Sequence, residues 1–73
     1  MPVQRPLQAD LANRIRRLRE SRKLSQMDMV KTANWSLSHY QKLERGTLDP
    51  RLSTLKKLAD TFGVSLSKLL SGV

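Results

Sequence analysis

Seventy-three residues with a formal net charge of +8 and no cysteine leave room for one domain and exclude disulfides and thiolate metal sites. A single histidine excludes a histidine-rich metal centre as well. No apolar run approaches the roughly 18 residues of a membrane span and the start has no hydrophobic signal core, so a small soluble cytoplasmic protein without membrane contact is expected.

The charge is unevenly spread. Residues 1–23 hold seven basic and two acidic side chains, whereas residues 24–46 hold three and two, and residues 47–73 four and two. A small basic domain of this kind points to a polyanion as partner, nucleic acid first, with charge for solubility as the plainer reading.

The opening "MPVQRPLQ" has two prolines and no periodicity, and predicts a flexible arm over residues 1–9, ahead of a folded unit over residues 10–73. Asp10 is a candidate N-cap for a first helix whose stripe is Leu11, Ile15 and Leu18, with Arg14, Arg16, Arg17 and Glu20 on its other faces. "SRKLS" ends it. Ser25 then caps a second helix, with Asp28 three residues on as in a capping box, and Met29, Val30 and Ala33 form its short apolar face. Asn34 falls where the chain must turn sharply, and Asn tolerates the left-handed conformation. Ser36 opens a third helix that Gly46 closes. After the loop "TLDPR", Leu52, Leu55, Leu58, Ala59 and Phe62 form an amphipathic stripe closed by Gly63. Val64 and Ser65 staple and cap a fifth helix, "LSKLL". No strand alternation and no repeat occur, so the expected architecture is all-α with five helices.

At about 100° per residue, Ser36, Tyr40 and Leu43 define the buried direction of the third helix. Ser38, Lys42 and Arg45 point away from it, Leu37 and Gln41 lie on one flank and His39 on the other, and Glu44 sits at the edge of the buried face. The outward side mixes small polar residues near the helix start with basic ones towards its end, which suits base edges followed by phosphate. A helix entered through a three-residue turn from a short helix is also how a helix-turn-helix offers its second helix to a major groove. Simple solvent exposure is the plainer alternative.

"LSQMDMVKTANWSLSHYQKLERG" resembles the helix-turn-helix of the Cro and phage-repressor (Xre-like) family. The usual run there is Leu-Ser-Gln, a short acidic-apolar helix, Ala-Gly-Ile-Ser, and a helix closing in Ile-Glu-Arg-Gly. The match is gapless over 23 residues and continues through "DPRLSTLKKLADTFGVSLSKLL", while "RIRRLRE" is similar to the family's first helix; together it spans about residues 11–70. The resemblance implies a five-helix lambda-repressor-like DNA-binding domain with the helix-turn-helix at helices 2 and 3. It implies base contacts from Leu37, Ser38 and Lys42, with Gln41 on the flank among them, and phosphate contacts from Gln26, Ser36, Arg45, Thr47 and Arg51. Lys42 suits guanine O6 and N7 or equally a phosphate, and Leu37 a thymine methyl. It also implies an ion pair between Arg19 and Glu44 that holds the third helix to the first; a hydrated surface carboxylate is the alternative.

Four residues depart from the family pattern. Trp35 stands in place of a small aliphatic residue, Asn34 of glycine, Val30 of alanine, and Tyr40 of a branched aliphatic. Trp35 is expected to plug the turn between the second and third helices, with stacking on DNA or a partner as the sharper alternative. His39 has no carboxylate at useful spacing and no nucleophile is paired with a base, so neither an enzyme nor a cofactor is expected. Arg14, Arg16 and Arg17 are read as a general attractive field, and Arg5 as a reach towards a minor groove.

These readings converge on a sequence-specific regulator of transcription that binds double-stranded DNA as a homodimer on a two-fold operator and is associated with the nucleoid. The types expected are a phage Cro-like repressor, a restriction-modification controller or an autoregulating antitoxin, controlled by its own concentration. A toxin or RNA polymerase is left open as a protein partner. The alternative is a bridging module of the same fold without base readout. "VSLSKLLSGV" offers more apolar side chains than one short helix can bury, so Leu66, Leu70 and Val73 are the candidate dimer contacts; capping the core of a monomer is the alternative.

Overall fold

The computed structural model describes residues 7–73. Five helices follow in order: α1 (Leu7–Ser21), α2 (Gln26–Ala33), α3 (Leu37–Arg45), α4 (Leu52–Phe62) and α5 (Leu66–Leu69), with no strand among the described residues.

Local chemistry explains most of the boundaries. Ser25 accepts from the Asp28 backbone N–H at 3.0 Å while its own N–H donates to Asp28 Oδ2 at 2.8 Å, a complete capping box. The Ser25 backbone N–H, with the Ser25 side chain adding to it, holds the Asp28 carboxyl below its usual value. Ser36 and Ser65 each accept from the N–H three residues on, at 3.1 and 3.0 Å. At the C-termini, Asn34 is left-handed at φ 56°, ψ 45°, and Gly46 and Gly63 are left-handed at φ 75° and 69°.

One boundary differs from expectation. The first helix starts at Leu7, three residues ahead of Asp10, which therefore sits in the first turn rather than capping it. Leu7, Gln8 and Ala9 are good helix formers, and an acid in the first turn favours the helix dipole wherever the cap lies. The arm read over residues 1–9 thus loses residues 7–9 to α1; its remainder, including Arg5, lies outside the described residues. Lys23 ends α1 in the left-handed region at φ 55°, with the Leu24 N–H returning to the Arg19 carbonyl at 3.1 Å.

The core is built where α1 packs on α3, α3 on α2, α2 on α4 and α4 on α5. Leu11, Ile15 and Leu18 of α1 meet Met29, Tyr40, Leu43, Leu58, Ala59, Phe62 and Leu69 in one cluster. Fully buried residues such as Ile15 and Leu58 each contribute about 1.5–3 kcal/mol. Leu52 leaves the expected α4 stripe and stands 70% exposed, because it is the first residue of the helix and projects past the elements that cover Leu58 and Phe62. Val30 and Leu55 are only half-buried against the cluster.

Side-chain bonds to distant carbonyls complete the packing. α5 is a single turn, too short to persist alone. Arg14 donates to the carbonyls of Leu69 at 3.2 Å and Lys68 at 2.9 Å, holding α5 against α1. Arg22 donates to the Phe62 carbonyl at 3.1 Å, with its guanidinium 5.5 Å from the Phe62 ring centre. Among the described residues no helix is long and apolar enough to cross a membrane.

Candidate nucleic-acid interface

The site is a helix whose two sides have different work. On the inner side of α3, Tyr40 and Leu43 are buried, and so is Glu44, at 2% exposure. On the outer side Leu37, Ser38, Lys42 and Arg45 are exposed, together with the cap Ser36. Gln41 is half-buried between these sides, facing the start of α2.

A buried carboxylate is costly without partners. Glu44 has four donors of its own. Arg19 reaches it from α1 through Nε at 2.6 Å and Nη2 at 3.2 Å, Gln26 from α2 through Nε2 at 3.0 Å, and the Tyr40 hydroxyl from one turn earlier on α3. Arg19 Nη1 also donates to the Leu24 carbonyl at 2.8 Å. Burial pushes the Glu44 carboxyl upward, but the bonds from Arg19, Tyr40 and Gln26 outweigh it, and the group ends below its usual range. Bonded to Glu44, the Arg19 guanidinium is raised. Burial first, and then the carboxylate beside it, push the Tyr40 phenol up, so it stays a donor at any ordinary pH. Among the described residues no buried side-chain polar atom lacks a partner.

The structure therefore brings Arg19 and Glu44 together and adds two partners that the sequence reading did not connect to them. Tyr40 lies four residues before Glu44, which puts both on one helix face; that spacing was the available signal. Gln26, read as a phosphate contact, spends one amide N–H on Glu44, and Gln41 donates to its carbonyl oxygen at 3.5 Å, the outer limit of a hydrogen bond. Arg14 and Arg16, read as general field, have specific work. Arg14 caps α5, and Arg16 donates to the Glu44 carbonyl and to Asn13 Oδ1. Arg14 and Arg16 are half-buried, and Arg17 is exposed.

Trp35 is half-buried in the turn. Its ring stacks on Tyr40 at 5.7 Å and 17°, lies 6.3 Å from His39, and carries the Lys57 ammonium 5.7 Å from its centre. The plug thus rests on α3 and is covered from α4. Past α3, Thr47 turns its N–H and hydroxyl back to the Lys42 carbonyl at 3.1 and 3.4 Å, while Arg51 is exposed as the N-cap residue of α4 without a side-chain cap bond.

Leu66, Leu70 and Val73 are each half-buried against the core. Leu70 and Val73 form one wall of an open groove of about 460 Å³, whose other wall includes Leu7, Leu11 and Leu55. Among the described residues no group of three or more His, Cys, Asp or Glu is placed to hold a metal.

The fold and the paired helices α2 and α3 define a helix-turn-helix domain, and the sequence profile of the helix-turn-helix domain family matches residues 10–70. The chain belongs to that family, in its Cro and phage-repressor branch. It is 41% identical over 63 residues to the HTH-type transcriptional regulator DdrOP3 of Deinococcus deserti, covering 86% of this chain and 49% of that one. Against the immunity repressor protein of Bacillus phage phi105 it is 35% identical over 60 residues, covering 82% and 42%. A solved HTH_3 family transcriptional regulator from Vibrio cholerae superposes with a TM-score of 0.82 at 29% identity, over 89% of this chain and 36% of that one. The chain spans about half the length of the curated relatives it matches, and these are transcriptional regulators and repressors rather than enzymes.

Proposed function

We infer that the protein is a transcriptional repressor that binds double-stranded DNA sequence-specifically, as a homodimer on a two-fold operator in the cytoplasm. The observation that bears the reading is α3 itself: Leu37, Ser38 and Lys42 face outward from a helix whose inner side is pinned to α1 and α2 through Glu44. Such a helix enters a major groove as a rigid reader. The net charge of +8 supports a polyanionic partner, and a phage immunity repressor among the relatives supports repression as the sign of regulation. Gln26, Ser36, Arg45, Thr47 and Arg51 border the exposed face and serve as its phosphate contacts. One copy reads only a few base pairs, so pairing through the C-terminal apolar face supplies the length an operator needs.

The test is the salt dependence of binding to duplex DNA. A dimer that neutralises about eight phosphates gives a log–log slope near −7. A slope shallower than about −2 removes DNA as the principal ligand and leaves the protein-bridging role.

A further inference from the structure

We propose that Lys57 is a phosphate contact made from α4, outside the helix-turn-helix, and that Trp35 is the residue that positions it; this rests on the reading of α3 as the DNA reader. α4 carries two neighbouring lysines in opposite situations. Lys56 is bonded to Asp60 at 2.6 Å, so its charge is answered within the helix. Lys57 has no carboxylate partner among the described residues, and its ammonium lies over the Trp35 ring, 5.7 Å from its centre. That indole directly precedes Ser36, the cap of α3 and one of the phosphate contacts proposed above. Tyr40 stacks on the same ring at 5.7 Å and 17°, which fixes it against α3.

Lys57 is thereby brought from α4 to the end of α3 where the chain meets the DNA backbone. A cation over an aromatic face is attracted to it, and indole is the strongest of the rings. The ring leaves the ammonium accessible: Lys57 is exposed, and its N–H groups remain to be directed at phosphate oxygens. A free lysine loses rotamers when it grips a phosphate, whereas one already laid across an indole has lost part of them before DNA arrives. A small aliphatic residue at position 35 would fill the turn but hold no cation.

Binding of the full chain to duplex DNA at several salt concentrations tests the contact. One phosphate per copy contributes about 0.9 to the log–log slope, or about 1.8 in a dimer. Lys57→Gln should make the slope shallower by that amount, with far-UV circular dichroism unchanged. Lys56→Gln removes the same charge one position earlier and should leave the slope as it is. An unchanged slope in Lys57→Gln would overturn the proposal, and equal shallowing in both variants would reduce the effect to net charge and overturn it too.

The role of the ring is read separately. In the DNA-free protein the ring current of Trp35 should displace the Lys57 side-chain methylene signals in the NMR spectrum, and Trp35→Leu should return them to ordinary positions. Trp35→Leu should weaken DNA binding, and Trp35→Phe, which keeps a ring, should recover most of the loss. In the Lys57→Gln background Trp35→Leu should lose nothing further. A loss that persists in full without Lys57 makes Trp35 a plug of the turn alone and sinks the positioning role. A wild-type slope shallower than about −2 removes DNA as the ligand and the proposal with it, and shows before any variant is made.

Discussion

The inner side of α3 and the groove beside α5 hold the molecule together in opposite ways. Around Glu44 the contacts are directional: four donors from three helices converge on one carboxylate, and each has a fixed angle. Arg14 ties α5 down by two directional bonds, but the groove beside it is mostly apolar and unfinished, with Leu70 and Val73 half-covered and Leu7 65% exposed. Directional bonds hold a helix at one register, which a reader of base edges needs. Apolar surface left half-covered gains from whatever covers it, which suits self-association. On the proposed reading, base recognition and self-association therefore fall on different helices.

The largest effect should come from breaking the directional side. Glu44→Ala leaves Arg19, Tyr40 and Gln26 without their common acceptor, and removal of one partner from a buried pair costs about 3–5 kcal/mol. For a domain of this size that is most of its stability, so urea unfolding should show a midpoint near zero denaturant or no folded baseline. Acid probes the same group more gently. The Glu44 carboxyl is depressed in the folded state below its ordinary value of 4.5, so its contribution is fully present above that value. It fades as pH falls from there through the lower folded value, where protonation undoes it. Midpoints followed from pH 6 downward should therefore decline, and the decline should be shallower in Glu44→Gln. Equal slopes would mean that other carboxylates govern the acid limb.

Adjacent residues on α5 sharpen the contrast. Leu69 is fully buried and Leu70 half-exposed at the groove. Leu69→Ala should cost about 2–5 kcal/mol in unfolding measurements, as core leucines do. Leu70→Glu should leave helix content intact and shift sedimentation from dimer to monomer. Global unfolding of Leu70→Glu would instead make Leu70 part of the core and remove the groove as a pairing face.

On the outer side of α3 the expected changes are in binding rather than folding. Ser38→Ala and Lys42→Ala should alter which sequences are preferred, by about 1–3 kcal/mol of discrimination each. Arg45→Ala should weaken all sequences alike. Sequence selection that returns the same site for the wild type and both base-facing variants would show that α3 is not the reader. The smallest effect belongs to the exposed Lys56–Asp60 pair on α4, 2.6 Å apart across one turn. Lys56→Ala should change stability by no more than about 0.5 kcal/mol.

What could be read from the sequence follows the range of the interaction. Ser25, Ser36, Ser65, Asn34, Gly46 and Gly63 act within a few residues of themselves, and α2 to α5 were legible from them. The start of α1 was not, because propensity alone carries the helix back to Leu7 past a good cap candidate. Lys23 adopts the left-handed turn without the glycine that would announce it. In the candidate site, the outward residues of α3 followed from a helical wheel, and Arg19 beside Glu44 from family resemblance. Gln26 and Tyr40 at that carboxylate, and Arg14 and Arg16 on carbonyls 55 and 28 residues away, depend on how whole helices are brought together. Periodicity carries no information about such bonds.

The indole in the turn makes the protein its own optical instrument. Trp35 is the single tryptophan, so all indole emission comes from the joint between α2 and α3, where the ring stacks on Tyr40 under the Lys57 ammonium. Its wavelength and intensity report whether that joint is closed, while circular dichroism reports helix content across the whole chain. Followed side by side through a titration with urea or with duplex, the two signals separate a loosening of the joint from a loss of the fold, with no label attached.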